Sequence, residues 1–348
     1  MTAPTRPQAL LIRIGTAERH WWWSHVDHHA LECELLCWSL PLSGSRPQTV
    51  LSWRFVELAW RTIGLLLRAK RQRVAYVFTF ENDWLTFIIA SLQTLFMFRR
   101  PRHVILQFIM REKTPAAKSR LKYAFLRWCY RSVYLVVCSS RSEADYYRRV
   151  FGWRPEKLAF VPLHTNPAFS ARPAIDEEPF ALAAGRTFRD YPTLLEAARQ
   201  GLSLPLTIVA GHNSLGGATT PPNVTVHHDI PLPELLSMMS RAAVVVLPLL
   251  PREISTGQTV LLEAMAMAMG KAVVVTRVNG TADYVDHMRN GVLVPPNDAT
   301  ALRDAINTLA GDRDLRRRLG STGRNEVLRR YLPDNYAQGV AAALKGLR

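Results

Sequence analysis

Short runs rich in Val, Ile and Leu recur along the chain, separated by stretches with apolar residues at helical spacing. The first set is ALLIRI (9–14), VAYVFTF (74–80), HVILQF (103–108), YLVVC (134–138) and LAFVPL (158–163). A second set follows at 179–184, 206–210, 223–227 and 242–248. Such runs are too short for helices and apolar on both faces, the signature of strands buried from both sides in a parallel sheet. Parallel neighbours need crossover connections, and the stretches 53–71, 118–131, 191–200 and 232–242 supply helices of the right length. The character of the chain breaks at NPAFSARPAIDEE (166–178), which is rich in Pro, Ala and acid and reads as an interdomain linker. An α/β chain of 348 residues divided this way is expected to form two Rossmann-like, doubly wound parallel-sheet domains facing a cleft. The expected division is 1–166, a linker at 167–178, 179–333, and a final helical segment at 334–348.

Composition narrows the class further. Hydrophobic residues make up 48% and charged residues 21%, an ordinary globular balance that excludes a disordered chain. The amino-terminal MTAPTRPQALLIRIG carries only a short apolar run interrupted by charge, so no secretory leader is expected. Four cysteines, Cys33, Cys37, Cys129 and Cys138, are few for this length and read as reduced thiols of a cytoplasmic protein. His25, Asp27, His28, His29, Glu32, Cys33 and Cys37 cluster, but their spacing matches no zinc pattern, and no metal is expected there.

The net charge of +16 is lopsided. Up to Ser170 there are 25 Lys and Arg against 11 Asp and Glu, a balance of +14, whereas the remainder holds 19 against 17. Basic clusters stand at 68–73, at 99–102, and at Arg111, Lys113, Lys118, Arg120 and Lys122. A field of this sign attracts an anionic membrane surface or a phosphate-bearing acceptor; nucleic acid is not the expected partner. Residues 84–98 are almost wholly apolar, yet 15 residues fall short of the roughly 20 that span a bilayer. Either they form a buried helix with a basic turn after it, or part of them dips into a membrane interface with the arginines on head groups.

Most of the chemistry is written in residues 256–298, TGQTVLLEAMAMAMGKAVVVTRVNGTADYVDHMRNGVLVPPND. Thr256, Gly257 and Gln258 precede the apolar run Val260-Leu261-Leu262, so a loop ends where a helix begins. Free N–H groups and the positive end of the helix dipole suit that junction to phosphate. Glu263 follows about one and a half turns in, within reach of hydroxyls a sugar's width from a bound phosphate. Phosphate at the loop and hydroxyls at the carboxylate describe a nucleotide-sugar site. A plain βαβ unit with a surface glutamate fits the same residues.

This segment resembles the donor-binding signature of glycosyltransferase family 4, the group 1 transferases of the GT-B fold. Glu263 in LLEAMA matches the second glutamate of the family's Glu-x7-Glu motif, and GKAVVVT (270–276) matches the glycine and buried strand that follow. Similarity continues through Asn290-Gly291 and VPPND (294–298), and upstream at Ala183-Ala184-Gly185-Arg186, with Arg189 near the family's usual lysine. Coverage is good from about residue 179 to the carboxyl terminus, recognisable over 135–167, and only in outline before that. Two departures stand out. Ser255 occupies the place of the first motif glutamate, with Glu253 two residues too early, so the loop resembles the Ser/Thr-Gly-Gln-Thr variant. An extra Ala-Met pair between Glu263 and Gly270 must shift or bulge the end of the helix, since two residues turn it by about 200°.

The resemblance implies a retaining transferase that moves a sugar from a nucleotide diphosphate sugar, of UDP or GDP, to an acceptor hydroxyl on a glycan, lipid-linked glycan or protein. It implies no obligatory metal or other cofactor: Arg186 and Arg189 stand in for the cation, and Glu263 holds the ribose. Ser255, Thr256, Gly257, Gln258 and Thr259 contact pyrophosphate and donor sugar, with Gly185 at the strand end. Gly211 and His212, after TIVA, end another strand, where they line the base or merely turn the chain. On the acceptor side His20, Glu81, Asp83, Arg111 and Glu112 lie near expected strand ends, Gln107 ends the strand where a histidine is familiar, and Trp21-Trp22-Trp23 is a sugar platform or buried aromatics. The site would be cytoplasmic, peripheral at the inner face of the membrane. A different class, a non-catalytic GT-B protein binding a polyanion or partner through its basic amino-terminal half, is the alternative.

Overall fold

The computed structural model describes residues 8–14, 34–40, 52–80, 83–110, 112–165, 176–254, 267–278 and 280–347. The chain divides into two compact units, one of Met1–Val161 with Tyr336–Arg348 and one of Pro162–Asn335. Most of the expected linker (166–175) lies outside the described residues, and Glu178 already opens a strand.

The first unit holds a six-stranded parallel sheet of β1 (Gln8–Ile14), β2 (Glu34–Leu40), β3 (Tyr76–Phe80), β4 (Arg102–Leu106), β5 (Leu135–Cys138) and β6 (Leu158–Phe160), in the order β2-β1-β3-β4-β5-β6. The strand β2 was not expected: its CELLCWSL surroundings read first as a cysteine cluster, not as a sheet run. From β2 onward the chain steps in one direction, so right-handed crossovers place α1 (Trp53–Arg71), α2 (Trp84–Leu95), α3 (Ala117–Cys129) and α4 (Arg141–Phe151) on one face. The sheet side chains alternate accordingly. Val77 packs with Leu58, Leu66, Ile88 and Ile89 of the helix layer, whereas Tyr76 and Phe78 meet Tyr336, Ala337, Val340 and Leu344 of α9 (Pro333–Lys345) on the other face.

Local signals set these helix ends. Ser52 and Asp83 accept from the amides of Phe55 and Thr86 to cap α1 and α2. The Ser140–Glu143 capping box forms at α4: Ser140 Oγ accepts from the Glu143 amide at 3.1 Å, and Glu143 Oε2 accepts from the amide and hydroxyl of Ser139. Asp83, an acceptor-side candidate, is thus occupied as a cap. Residues 84–98 resolve into α2, whose Leu85, Ile88, Ile89 and Ala90 are buried, followed by a turn in which Leu95, Phe96 and Met97 are exposed. Among the described residues no helix is long and apolar enough to cross a membrane. His20, the three tryptophans, Glu81, Arg111 and the His/Cys/Asp/Glu cluster at 25–33 lie outside the described residues, while Cys129 and Cys138 are buried free thiols.

The second unit repeats the plan with β7 (Glu178–Ala184), β8 (Leu206–Ala210), β9 (Val224–His228), β10 (Ala242–Leu247), β11 (Ala272–Thr276) and β12 (Val292–Val294), in the order β12-β11-β10-β7-β8-β9, all parallel. Its central strands are apolar on both sides because both are covered. Leu182, Val245, Leu247 and Val273 face Leu236 and Met239 of α6 (Leu232–Arg241), together with Met267–Met269. Ala181, Ala183, Val244 and Val274 face α5 (Tyr191–Arg199) and α7 (Ala299–Gly311). The helix α8 (Arg313–Arg330) approaches so closely that a Cβ on Gly320 would overlap the carbonyl oxygen of Gly270. The extra Ala-Met pair ends in this core: Met267, Ala268 and Met269 are buried, and the chain turns into β11 through Gly270 at φ 72°.

Candidate functional site

In an open parallel sheet the carboxyl ends of the strands carry the ligand, and here the ends of four neighbours, β10, β7, β8 and β9, converge on one set of polar groups. Gly185 follows β7 at φ 129°, and its carbonyl accepts from Tyr191 Oη at 2.6 Å. Burial pushes that phenol up to about 12, so it remains a donor. Arg186 leaves the strand end with its side chain 65% exposed, and Nη2 pairs with Asp229 Oδ1 at 2.5 Å. Beneath it lies Gly211, where a Cβ would come to 3.4 Å from Arg186 Cγ and 3.1 Å from Ser214 Oγ. The arginine stem thus packs over the end of β8, where a side chain in place of the glycine would crowd Ser214 and touch the stem.

Asp229 joins the strand ends. It sits one residue past β9 in the left-handed region (φ 50°), its amide donating to Ala210 O at 3.1 Å. From there its second oxygen faces His212 Nε2 at 3.5 Å, and the His212 ring stacks on that of His228 at 5.0 Å. One carboxylate thus touches the cation from β7 and the imidazole from β8. Sequence reasoning named Arg186 and His212 but missed Asp229 and His228. The signal was present, an Asp directly after a strand, but that position is also where Asp serves merely as a turn residue.

Arg189 occupies a different place from Arg186. It is 8% exposed, and its Nε and Nη1 donate to Ala184 O and Thr187 O at 2.8 and 2.9 Å. A Cβ on Gly185 would overlap its guanidinium, so Gly185 is needed as much for Arg189 as for the turn. Asp190, its neighbour in the chain, caps α5 by accepting from the Thr193 amide. The loop is also stitched to the end of β10: Asp190 N donates to Pro248 O, Leu250 N to Phe188 O, and Arg252 stacks over Phe188. Thr276 Oγ1 at the end of β11 accepts from Leu249 N. Pro248–Ile254 therefore runs directly beside the Gly185–Asp190 loop and leads into 255–266. Ser255, Thr256, Gly257, Gln258, Thr259 and Glu263 themselves lie outside the described residues.

In the first unit Gln107 takes a left-handed conformation (φ 57°) at the end of β4, its amide donating to Val137 O. The loop after it is held by α4: Tyr147 Oη accepts from Met110 N, and Tyr146 Oη from Lys113 N. Glu112 lies on this loop. His103, at the other end of the strand, is fully buried against Thr79 Oγ1 at 2.9 Å and is a packing residue. Among the described residues no cluster of three His, Cys, Asp or Glu could hold a metal.

Two parallel six-stranded sheets, each in its own α/β unit, with ligand-type glycines and cations at the strand ends of the second, define the GT-B class. Two family models match, one described as "Glycosyl transferase 4-like domain" over residues 12–164 and one as "Glycosyl transferases group 1" over 186–312. The chain belongs to the group 1 glycosyltransferases. Similar solved structures include a glycosyltransferase from Rickettsia africae, 12% identical with a TM-score of 0.68 over 99% of each chain. HepE of Anabaena in complex with UDP is 13% identical with a TM-score of 0.68, over 97% of this chain and 99% of that one. The sucrose-phosphate synthase of Thermosynechococcus elongatus is 18% identical with a TM-score of 0.67, over 98% of each. An exopolysaccharide phosphotransferase of Streptomyces coelicolor is 40% identical over 81 residues, which are 23% of this chain and 8% of that protein.

Proposed function

We propose that the protein transfers a sugar from a nucleotide diphosphate sugar to an acceptor hydroxyl, with retention at the anomeric carbon and without an obligatory metal. The observation that carries this reading is the exposed guanidinium of Arg186, seated on Gly211 and aimed by Asp229 at the end of β7. In the reaction the bond from C1 to the diphosphate oxygen breaks, a bond from C1 to the acceptor oxygen forms, and the acceptor proton passes to the departing diphosphate. Negative charge builds on the diphosphate, where a planar cation pairs with two oxygens at once. Arg186 supplies that cation, so a divalent ion is not required. Arg189 acts behind it, holding Ala184 O and Thr187 O so that the loop keeps one shape.

Ser255 to Thr259 are assigned the pyrophosphate and donor sugar, Glu263 the ribose hydroxyls, and His212 with His228 an aromatic wall for the base. UDP is the first donor nucleotide to try, since the similar HepE chains are described in complex with UDP and with UDP-glucose. The acceptor is a glycan or lipid-linked glycan. A thermal-shift panel of UDP, GDP, ADP and their sugars, with Arg186→Ala and Glu263→Ala as controls, tests the assignment. A ligand at 100 times its dissociation constant stabilises by about 2.7 kcal/mol, so one diphosphate should raise Tm in the wild type and fail in both variants. Transfer measured with that donor should be unchanged by EDTA. No shift with any nucleotide would instead favour a non-catalytic GT-B protein.

A further inference from the structure

Among the described residues, exposed large apolar side chains concentrate in one place. Of the twelve, ten lie on α1, the end of α2 and α3: Trp53, Val56, Trp60, Leu67, Leu95, Phe96, Met97, Leu121, Phe125 and Trp128. The second unit contributes only Leu232 and Met288. Scattered apolar exposure is ordinary, but a concentration of this kind marks an interaction surface.

The residues fall in register. On α1, positions 53, 56, 60 and 67 recur at helical spacing along one outer stripe, opposite the buried Leu58, Leu65, Leu66 and Ala69. This helix is apolar on two faces, and the sheet covers only one of them. On α3, positions 121, 125 and 128 form a second stripe, while Tyr123, Leu126 and Cys129 face inward. The helix α2 joins the two. Its Trp84 meets Phe55 of α1 edge-on, its Phe87 meets Phe125 of α3, and Phe98 beyond its end lies under Lys70 of α1. Trp60 and Leu121 are 76% and 75% exposed.

The charge decides what covers this face. Residues 53–131 hold sixteen Lys and Arg against four Asp and Glu. Several cations lie on or beside this face: Arg54 stacks on Trp53, Lys70 on the half-buried Phe98, and Arg99 and Arg100 follow Met97 closely in the chain. A second copy would bring the same positive face against itself, which opposes self-association. Aliphatic Val56, Leu67, Leu95, Met97 and Leu121 have no use on a nucleic acid. A lipid surface satisfies both properties together, taking apolar tips into the acyl boundary and phosphates onto the cations.

We propose that the outer face of α1, the turn after α2, and α3 dock the protein on an anionic lipid bilayer as a peripheral contact. The surface replaces the one that sequence alone pointed to: most of residues 84–98 is buried as α2, and only its end takes part. This inference does not depend on the donor chemistry proposed above.

The test is co-sedimentation of the full chain with vesicles of phosphatidylcholine, with and without phosphatidylglycerol, beside the double variant Trp60→Glu/Phe125→Glu. The wild type should partition onto the anionic vesicles, and the variant should lose about tenfold or more of that partition. Single variants Trp60→Ser and Leu121→Ser guard against misfolding of the double variant; both keep the wild-type circular dichroism and Tm and each lowers partition. The nucleotide-induced Tm shift should be the same in all of them, which separates docking from the donor site. A wild type that stays in solution with anionic vesicles would overturn the proposal. So would variants that sediment like the wild type, or a wild-type dimer that Trp60→Glu converts to monomer without any lipid binding.

Discussion

Two arginines three positions apart in one loop do separate work, and substitution should divide them. Arg186 is exposed and makes its ion pair with Asp229 at the surface, so Arg186→Ala should leave stability within about 1 kcal/mol of wild type. It should weaken the nucleotide diphosphate by about tenfold or more, as the loss of a charge-assisted contact would. Arg186→Lys keeps the charge but not the fork, and should fall between the two. Gly185→Ala should instead lower both stability and nucleotide affinity. Its φ of 129° disfavours a side chain, and the new Cβ displaces the guanidinium of Arg189 from Ala184 O. Calorimetry with the best nucleotide of the panel, beside thermal melts, reads both quantities. A Gly185→Ala protein with wild-type Tm would show that the close approach of Arg189 is not needed. At this scale the sequence was partly readable. A glycine and an arginine closing an apolar run point to a strand end facing ligand. That Arg189 turns inward was hidden, because its partners are backbone carbonyls, which every sequence possesses. Asp229 was hidden for the converse reason: its partners His212 and Arg186 lie 17 and 43 residues upstream, distances that no local pattern encodes.

Elements were easier to read than residues, because run length and the spacing of apolar positions separate helix from strand. The helix α1 runs over the expected 53–71, and β8 over the expected 206–210. The second apolar stripe of α1 could not be assigned from sequence, since periodicity tells which residues share a face but not whether anything covers it. Glycines inside helices show the same limit, for Gly64 and Gly320 look alike in sequence yet differ in surroundings. A Cβ on Gly64 meets nothing within 4 Å, whereas one on Gly320 would overlap Gly270 O where α8 closes on the turn before β11. Gly64→Ala should therefore stabilise by roughly 0.5–1 kcal/mol through helix propensity. Gly320→Ala should destabilise by about 1–3 kcal/mol or more, because backbone has to move to make room. Urea midpoints of the two variants decide it, and equal effects would mean that α8 is less tightly packed than it looks. The turn at Gly270 ends the segment that carries Glu263, so Gly320→Ala should weaken the nucleotide as well.

Across the molecule, three buried ionisable groups place opposite pH limits on stability. Burial pushes His103 down to about 3 and His164 down to about 4, from an ordinary 6.5, one in each compact unit. The unfolded chain binds these protons first, so stability is lost as pH falls from 6.5 towards the folded values. Glu143 works the other way. Burial among Cys138 of β5, Tyr147 of α4 and Tyr336 of α9 pushes it up to about 8, against the hydrogen bonds from Ser139. Between its ordinary 4.5 and that value the folded chain holds a proton that the unfolded chain has released, so stability falls as pH rises through this window. Moving a pKa by one pH unit between the unfolded and folded chain corresponds to about 1.4 kcal/mol, enough for both limbs to appear in a melt. Tm should peak at roughly pH 6 and decline on either side. Glu143→Gln keeps an oxygen to accept from Ser139 and carries no charge, so it should flatten the alkaline limb and leave the acid one. His103→Gln keeps a partner for Thr79 and should soften the acid limb without abolishing it, because His164 still titrates in the other unit. Melts of the three proteins from roughly pH 4.5 to 9 test this, and an alkaline limb that survives Glu143→Gln would show that another group sets it.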